Sequence, residues 1–128
     1  MKIDTYPLKV RRDERGWLVQ NEYPFLSRAM KHFFVSYSKK GVVRGQHFHT
    51  KKQEWFLIIK GKAKISFEDL KTHEREEVVV SGDKPTMVAV PAGVAHKLEN
   101  IGQGEMFLLA FVNEPLDQAK PDTFASAI

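Results

Sequence analysis

The chain contains no cysteine. This excludes disulfides and thiolate metal ligands, and leaves histidine and carboxylate side chains to hold any metal. It has no apolar run of about 18 residues, so no membrane-spanning helix is expected. The opening MKIDTYPLKVRRDE lacks the apolar stretch of a secretory signal, and the expected compartment is the cytoplasm. The net charge of +4 comes without any block of five or six like charges, and aromatic and basic residues do not interleave as they do on nucleic-acid surfaces. No nucleic-acid or membrane partner is therefore expected. A mild basic excess suits a phosphate-bearing small molecule. Internal repeats, low-complexity segments and linkers are also missing. The 128 residues are expected to form one soluble domain, 1–128, long enough for a real core.

What is present is a succession of short strand-like segments with turn signals every eight to twelve residues. Residues 2–12 read as an edge strand, because Pro7 is unsuited to a central one. Asp13-Glu14-Arg15-Gly16 reads as a turn, and residues 21–28, with Pro24, as a loop or one helical turn. KHFFVSYSK (31–39), WFLII (55–59), AKISF (63–67) and VVV (78–80) have strand composition. Residues 68–77 read as a solvated hairpin tip. MFLLAFV (106–112) is almost continuously apolar, which predicts burial on both faces. The tail from Asn113, with Pro115 and Pro121, is expected to be irregular. Such a pattern belongs to an all-β sandwich or barrel.

The chemistry concentrates in RGQHFHTKKQEWFLIIKG, residues 44–61. His47 and His49 are two apart and share a face if the segment is a strand. Glu54 follows five later, an odd offset that an uninterrupted strand would send to the opposite face. The polar run Thr50-Lys51-Lys52-Gln53 supplies a bend that restores it. A distant stretch, VPAGVAHKLEN, adds His96 and, four residues on, Asn100. Three imidazoles and a carboxylate suit a borderline divalent metal, with solvent or substrate completing its shell.

These two stretches resemble the paired motifs of the cupin superfamily. The first is matched by Gly45, His47, His49, Glu54 and Gly61, the second by Pro91, Gly93, His96 and Asn100. Where the second motif usually has a glycine, six before its proline, this chain has Pro85, with Gly82 nearby. The resemblance implies a jelly roll (a double-stranded β-helix) enclosing a ligand cavity. DERGWLVQ (13–20), GVVRGQHF (41–48) and VPAGVAH (90–96) are further similar to segments of the dTDP-4-dehydrorhamnose 3,5-epimerases. GQHFHTKKQEWFLIIKGKAKISF and NEPLDQAKPDTF look most like the zinc cupin domain that ends the bifunctional reductase of capsular polysaccharide synthesis. The sugar 3,4-ketoisomerases share RGxHxH.

The resemblance implies action next to the carbonyl of a dTDP- or UDP-linked 4-keto-6-deoxy sugar, by epimerisation or ketoisomerisation. It implies His47 and His96 as catalytic histidines, Arg15 on the nucleotide phosphates and Arg44 on the sugar. It also implies His47, His49, Glu54 and His96 as ligands of zinc, with iron, nickel or manganese also permitted, and a homodimer. Three departures stand out. The epimerases have no histidine at the place of His49, and their tyrosine acid has no match in residues 106–112. Tyr37 is out of register with the ketoisomerase tyrosine. The rival readings are a metal-dependent cupin oxygenase and a non-catalytic sugar-binding cupin.

Overall fold

β-Branched and aromatic runs separated by glycine, proline and polar turns produce twelve strands in the computed structural model, which describes residues 1–128. The strands are β1 (Thr5–Pro7), β2 (Arg11–Asp13), β3 (Gly16–Leu18), β4 (His32–Ser38), β5 (Val43–Phe48), β6 (Glu54–Lys60), β7 (Lys62–Asp69), β8 (Arg75–Ser81), β9 (Thr86–Val90), β10 (Val94–Asn100), β11 (Met106–Val112) and β12 (Phe124–Ala125). The one helix, α1 (Pro24–Ala29), starts on the proline that its first turn tolerates. No helix is long and apolar enough to cross a membrane.

Two five-stranded antiparallel sheets carry the fold, in the orders β1-β9-β6-β11-β4 and β12-β5-β10-β7-β8. They face each other across a core that takes Phe56, Ile58, Val88, Val90 and Leu108 from the first sheet. Ile65, Phe67, Val94 and Leu98 come from the second. A smaller cluster of Leu8, Leu26, Trp55, Leu57, Met87 and Ala89 covers the outer face of the first sheet, with α1 lying over it. Sheet packing around an interior is the jelly-roll solution to burying one face of each strand.

Four expectations change. Residues 2–12 do not form one strand. β1 is indeed an edge strand, but the chain leaves it after Pro7, and β2 pairs with β3 in a separate hairpin whose tip is Glu14-Arg15. The strand buried on both faces is β6, where Trp55 to Ile58 are all buried between the two clusters. β11 instead alternates. Met106, Leu108, Ala110 and Val112 enter the core, while Phe107, Leu109 and Phe111 are only partly covered. The 68–77 tip is shorter than its charges suggested, because β7 runs to Asp69 and β8 begins at Arg75. The tail is not wholly irregular, since β12 pairs with β5.

The strand β4 has its polarity inverted. His32, Phe34, Ser36 and Ser38 point towards the interior, and Phe33, Val35 and Tyr37 point out, 62%, 58% and 41% exposed. His32, Phe34 and Ser36 of this wall line a cavity rather than a close-packed core.

Candidate metal centre and its cavity

β5 and β10 pair side by side, and His47 stands directly opposite His96. The register slips between His96 and Lys97, where Gln46 is an extra residue on β5 with φ +57°. Gly45 beside it has φ +91°, and a Cβ there would meet the His96 carbonyl at 3.0 Å, so the motif glycine permits this bulge. The bulge matters for the site. Arg44 and His47 are three apart, and a regular strand would send them to opposite faces. Here Arg44 is paired with Leu98 and His47 with His96, and all four share the inward face.

Glu54 reaches the site by a different route from the one its spacing suggested. No bend restores it to the face of β5. Residues 49–53 instead carry the chain from one sheet to the other, and Glu54, the first residue of β6, approaches from the opposing wall. The PAG turn is tied to this crossing, since the Gly93 N–H donates to the His49 carbonyl at 2.7 Å. Asn100 is a clamp rather than a ligand. Its Nδ2 donates to the carbonyls of Ser38, Lys39 and Gly104, holding the end of β10 against two turns.

The four expected ligands meet. One donor atom from each of His47, His49, Glu54 and His96 lies within 4.8 Å of all the others. The ring centroids of His47 are 4.9 Å from His49 and 4.6 Å from His96. His49 Nε2 is 2.9 Å from Glu54 Oε1, and His96 Nε2 is 3.7 Å from the same oxygen. Zinc bonds of about 2.0–2.2 Å require donors roughly 3.5 Å apart, so these donors stand at ligand spacing to within a side-chain rotation.

Two observations fit the residues to a divalent cation. Both ring nitrogens of His96, which is 1% exposed, lack a hydrogen-bond partner, a costly arrangement unless something else engages a lone pair. His49 faces an acceptor at each end, the Asp122 carbonyl at Nδ1 (2.7 Å) and Glu54 at Nε2. A cation in place of the proton between His49 and Glu54 satisfies both. Electrostatics agree. Burial holds the His96 ring down at about 4, so it presents a lone pair on one nitrogen at neutral pH. Burial, helped by His49, likewise lowers His47. Burial alone would raise Glu54, but its hydrogen bond to His49 and the nearby imidazoles outweigh that and hold it below the ordinary carboxylate value.

These residues floor a cavity of about 480 Å³. It shares His32, Lys52, Leu116 and Thr123 with an outer basin of about 1000 Å³ that also carries Lys51 and Lys120 and the carboxylates Glu114, Asp117 and Asp122. Arg44 lines the cavity, steadied by bonds from Nε to Ser38 Oγ (2.7 Å) and from Nη2 to the Tyr37 carbonyl (2.6 Å). Arg15 does not line it. Its side chain is 85% exposed on the β2–β3 tip and pairs with Asp13 at 2.6 Å. Tyr37 faces outward, its ring centroid 5.2 Å from that of Phe107.

Sequence reasoning passed over His32 and Ser36, although strict alternation through HFFVSYS sets them on one face. Ser36 Oγ is buried without a partner. It also passed over Thr123 and Asp122, which lie more than 70 residues from the ligands they accompany.

Residues 11–124 match the family described as "Polysaccharide biosynthesis C-terminal domain". The chain belongs to that family. Among relatives of this C-terminal domain, UDP-2-acetamido-2,6-beta-L-arabino-hexul-4-ose reductase of Pseudomonas aeruginosa is 32% identical over 97% of this chain. The chain spans only 32% of that protein's length. Spore coat polysaccharide biosynthesis protein SpsL of Bacillus subtilis is 28% identical over 94% of the chain and 84% of its own length. The capsular polysaccharide assembling protein CapF of Staphylococcus aureus superposes with a TM-score of 0.74 at 35% identity, over 96% of this chain and 33% of that one. At 20% identity, dTDP-4-dehydrorhamnose 3,5-epimerase of Bacillus anthracis shares the fold, with a TM-score of 0.77 over 94% of this chain and 77% of that one. The 3,4-ketoisomerase QdtA of Thermoanaerobacterium thermosaccharolyticum does so with a TM-score of 0.77, over 95% and 86%. This chain thus has the jelly-roll fold of these epimerases and ketoisomerases.

Proposed function

We propose that this domain is a nucleotide-sugar epimerase or isomerase. It would act next to the carbonyl of a dTDP- or UDP-linked 4-keto-6-deoxy sugar in surface polysaccharide biosynthesis, with one zinc ion on His47, His49, Glu54 and His96. The observation that carries this reading is the two-chambered cavity. Its inner part, floored by the ligand quartet and flanked by Arg44, is sized for a sugar ring. Its outer part has room for a nucleoside diphosphate, and Lys51, Lys52 and Lys120 stand in it as donors to phosphate beside Glu114, Asp117 and Asp122. The Pseudomonas relative is named for a UDP-linked 4-ulose, a sugar of this class.

A carbonyl at C4 acidifies the C3 proton. Held by His47, His49, Glu54 and His96, a divalent ion would supply Lewis-acid stabilisation of the charge that collects on the carbonyl oxygen. His47 and His96 were expected as proton carriers, but a nitrogen bound to metal has no lone pair for a proton. His32 is the imidazole of the cavity outside the quartet. Its Nδ1 faces the Glu114 carbonyl at 3.3 Å, which leaves Nε2 as an open acceptor. We therefore assign proton removal to His32, a step that contributes roughly 10²–10⁴-fold. Arg44 holds the substrate by charge-assisted hydrogen bonds.

The domain works as a homodimer in this reading. Support comes from the apolar row Phe33, Val35 and Tyr37 on the edge strand β4, which a two-fold axis would set against its own copy.

The test is solvent exchange. With dTDP- and UDP-linked 4-keto-6-deoxy sugars in heavy water, the wild type should incorporate deuterium at C3 without consuming oxygen. His32→Gln should lose exchange and keep its metal, and Arg44→Ala should weaken substrate binding. Binding without exchange would make the domain a sugar-binding module, and oxygen uptake with another substrate would make it an oxygenase.

A further inference from the structure

We propose that Asp122 is the positioning residue of the metal centre. It fixes the ring of His49 and the crossing from β5 to β6 that delivers Glu54, and so sets two of the four ligands before any ion arrives. This rests on the metal reading above for its purpose, though not for its geometry.

The crossing is short. Four residues separate His49 from Glu54, and the chain changes sheets between them. Its backbone N–H groups therefore have no strand to pair with. One carboxylate takes three of them, and the Gln53 N–H goes to Asn113 Oδ1 at 2.8 Å. Asp122 Oδ1 accepts from the Thr50 N–H (3.0 Å) and Thr50 Oγ1 (2.5 Å), and Oδ2 accepts from the N–H groups of Lys51 (2.8 Å) and Lys52 (2.9 Å). The same residue's carbonyl accepts from His49 Nδ1 at 2.7 Å. A carbonyl only accepts, so Nδ1 carries a proton and the Nε2 lone pair is aimed at the quartet.

The backbone of Asp122 has φ +52°, a left-handed conformation that Asp and Asn tolerate better than other side chains. That turn lets the side chain and the carbonyl serve the crossing and the ring together. The residues after it hold the arrangement on the ligand strand. β12 pairs Phe124 with Phe48 and Ala125 with His47, and the Ser126 N–H donates to the Gln46 carbonyl at 2.9 Å.

The experiment uses the full chain and three variants. Asp122→Asn keeps the backbone conformation and one acceptor oxygen but turns an NH₂ towards backbone donors. Asp122→Gly keeps the conformation and removes the carboxylate. Asp117→Asn alters another carboxylate of the same segment, which accepts from the N–H groups of Ala119 and Lys120 and not from the crossing. Zn²⁺ affinity is read by competition with a chromogenic chelator, and Co²⁺ absorption reports the coordination geometry. The imidazole ¹⁵N signals of the metal-free protein report the tautomer of His49.

Both Asp122 variants should bind Zn²⁺ about 10- to 100-fold more weakly, with an altered Co²⁺ spectrum, while Asp117→Asn matches the wild type. His49 should be locked with its proton on Nδ1 in the wild type and average between tautomers in Asp122→Asn. Wild-type affinity in Asp122→Asn, an Nε2–H tautomer in the wild type, or an equal loss in Asp117→Asn would overturn the proposal. If the wild type takes up neither ion, the metal reading fails on its own. The tautomer, and its loss in Asp122→Asn, then still decides whether Asp122 positions the ring.

Discussion

Replacing His96 by leucine should change the sign of its effect with zinc. His96 is buried, and no protein group stands within hydrogen-bond distance of either ring nitrogen. An unsatisfied buried polar group costs about 1–3 kcal/mol. Leucine removes that cost and leaves a shape mismatch of about 1 kcal/mol for a swap of similar volume. Metal-free His96→Leu should therefore be as stable as the metal-free wild type, or about 2 kcal/mol more stable. Zinc reverses the ranking. An ion at a thousandfold excess over its dissociation constant stabilises the wild type by about 4 kcal/mol. The variant, short of one ligand, gains little.

Thermal melts near neutral pH, with zinc and with chelator, read both differences. Acid gives a second check. The folded His96 titrates at about 4 against a reference of 6.5, so the unfolded chain binds more protons between these values. Stability from this source is full above 6.5 and is lost as pH falls towards 4, by about 3 kcal/mol in all. His96→Leu should lack this slope. Glu54, lowered in the fold, adds stability that is present above 4.5 and lost below it, in both proteins. A metal-free variant that melts well below the metal-free wild type, with the same acid slope, would refute the reasoning, because it would mean that the ring is satisfied within the folded chain.

Two further outcomes test the packing and the assembly. Gly82→Ala should cost about 1–3 kcal/mol in urea unfolding, because its Cβ would lie 2.5 Å from the Ile59 carbonyl oxygen, a backbone atom that cannot swing aside. Gly104→Ala, with nothing within 4 Å of its Cβ, should cost far less. Light scattering should give twice the 14.7 kDa chain mass, and Val35→Lys on the apolar face of β4 should return the monomer.

Much of this protein follows from local chemistry. Alternation, turn residues and the HxH pair suffice for an all-β fold with four metal-type ligands, because strand period and ligand type are properties of near neighbours. Asn100 and Gly45 are legible as motif positions, although their roles as clamp and bulge are not. Tertiary structure decided the rest. Glu54 joins the histidines by crossing to the facing sheet, which no periodicity within one strand encodes. Arg44 shares a face with His47 because Gln46 bulges against β10, a pairing that exists only once residues some fifty apart meet. Arg15 looks like a phosphate ligand in sequence, yet the β2–β3 hairpin carries it away from this chain's cavity. Asp122 governs the site from the far end of the chain, through hydrogen bonds that depend on where the folded backbone returns and not on any local pattern.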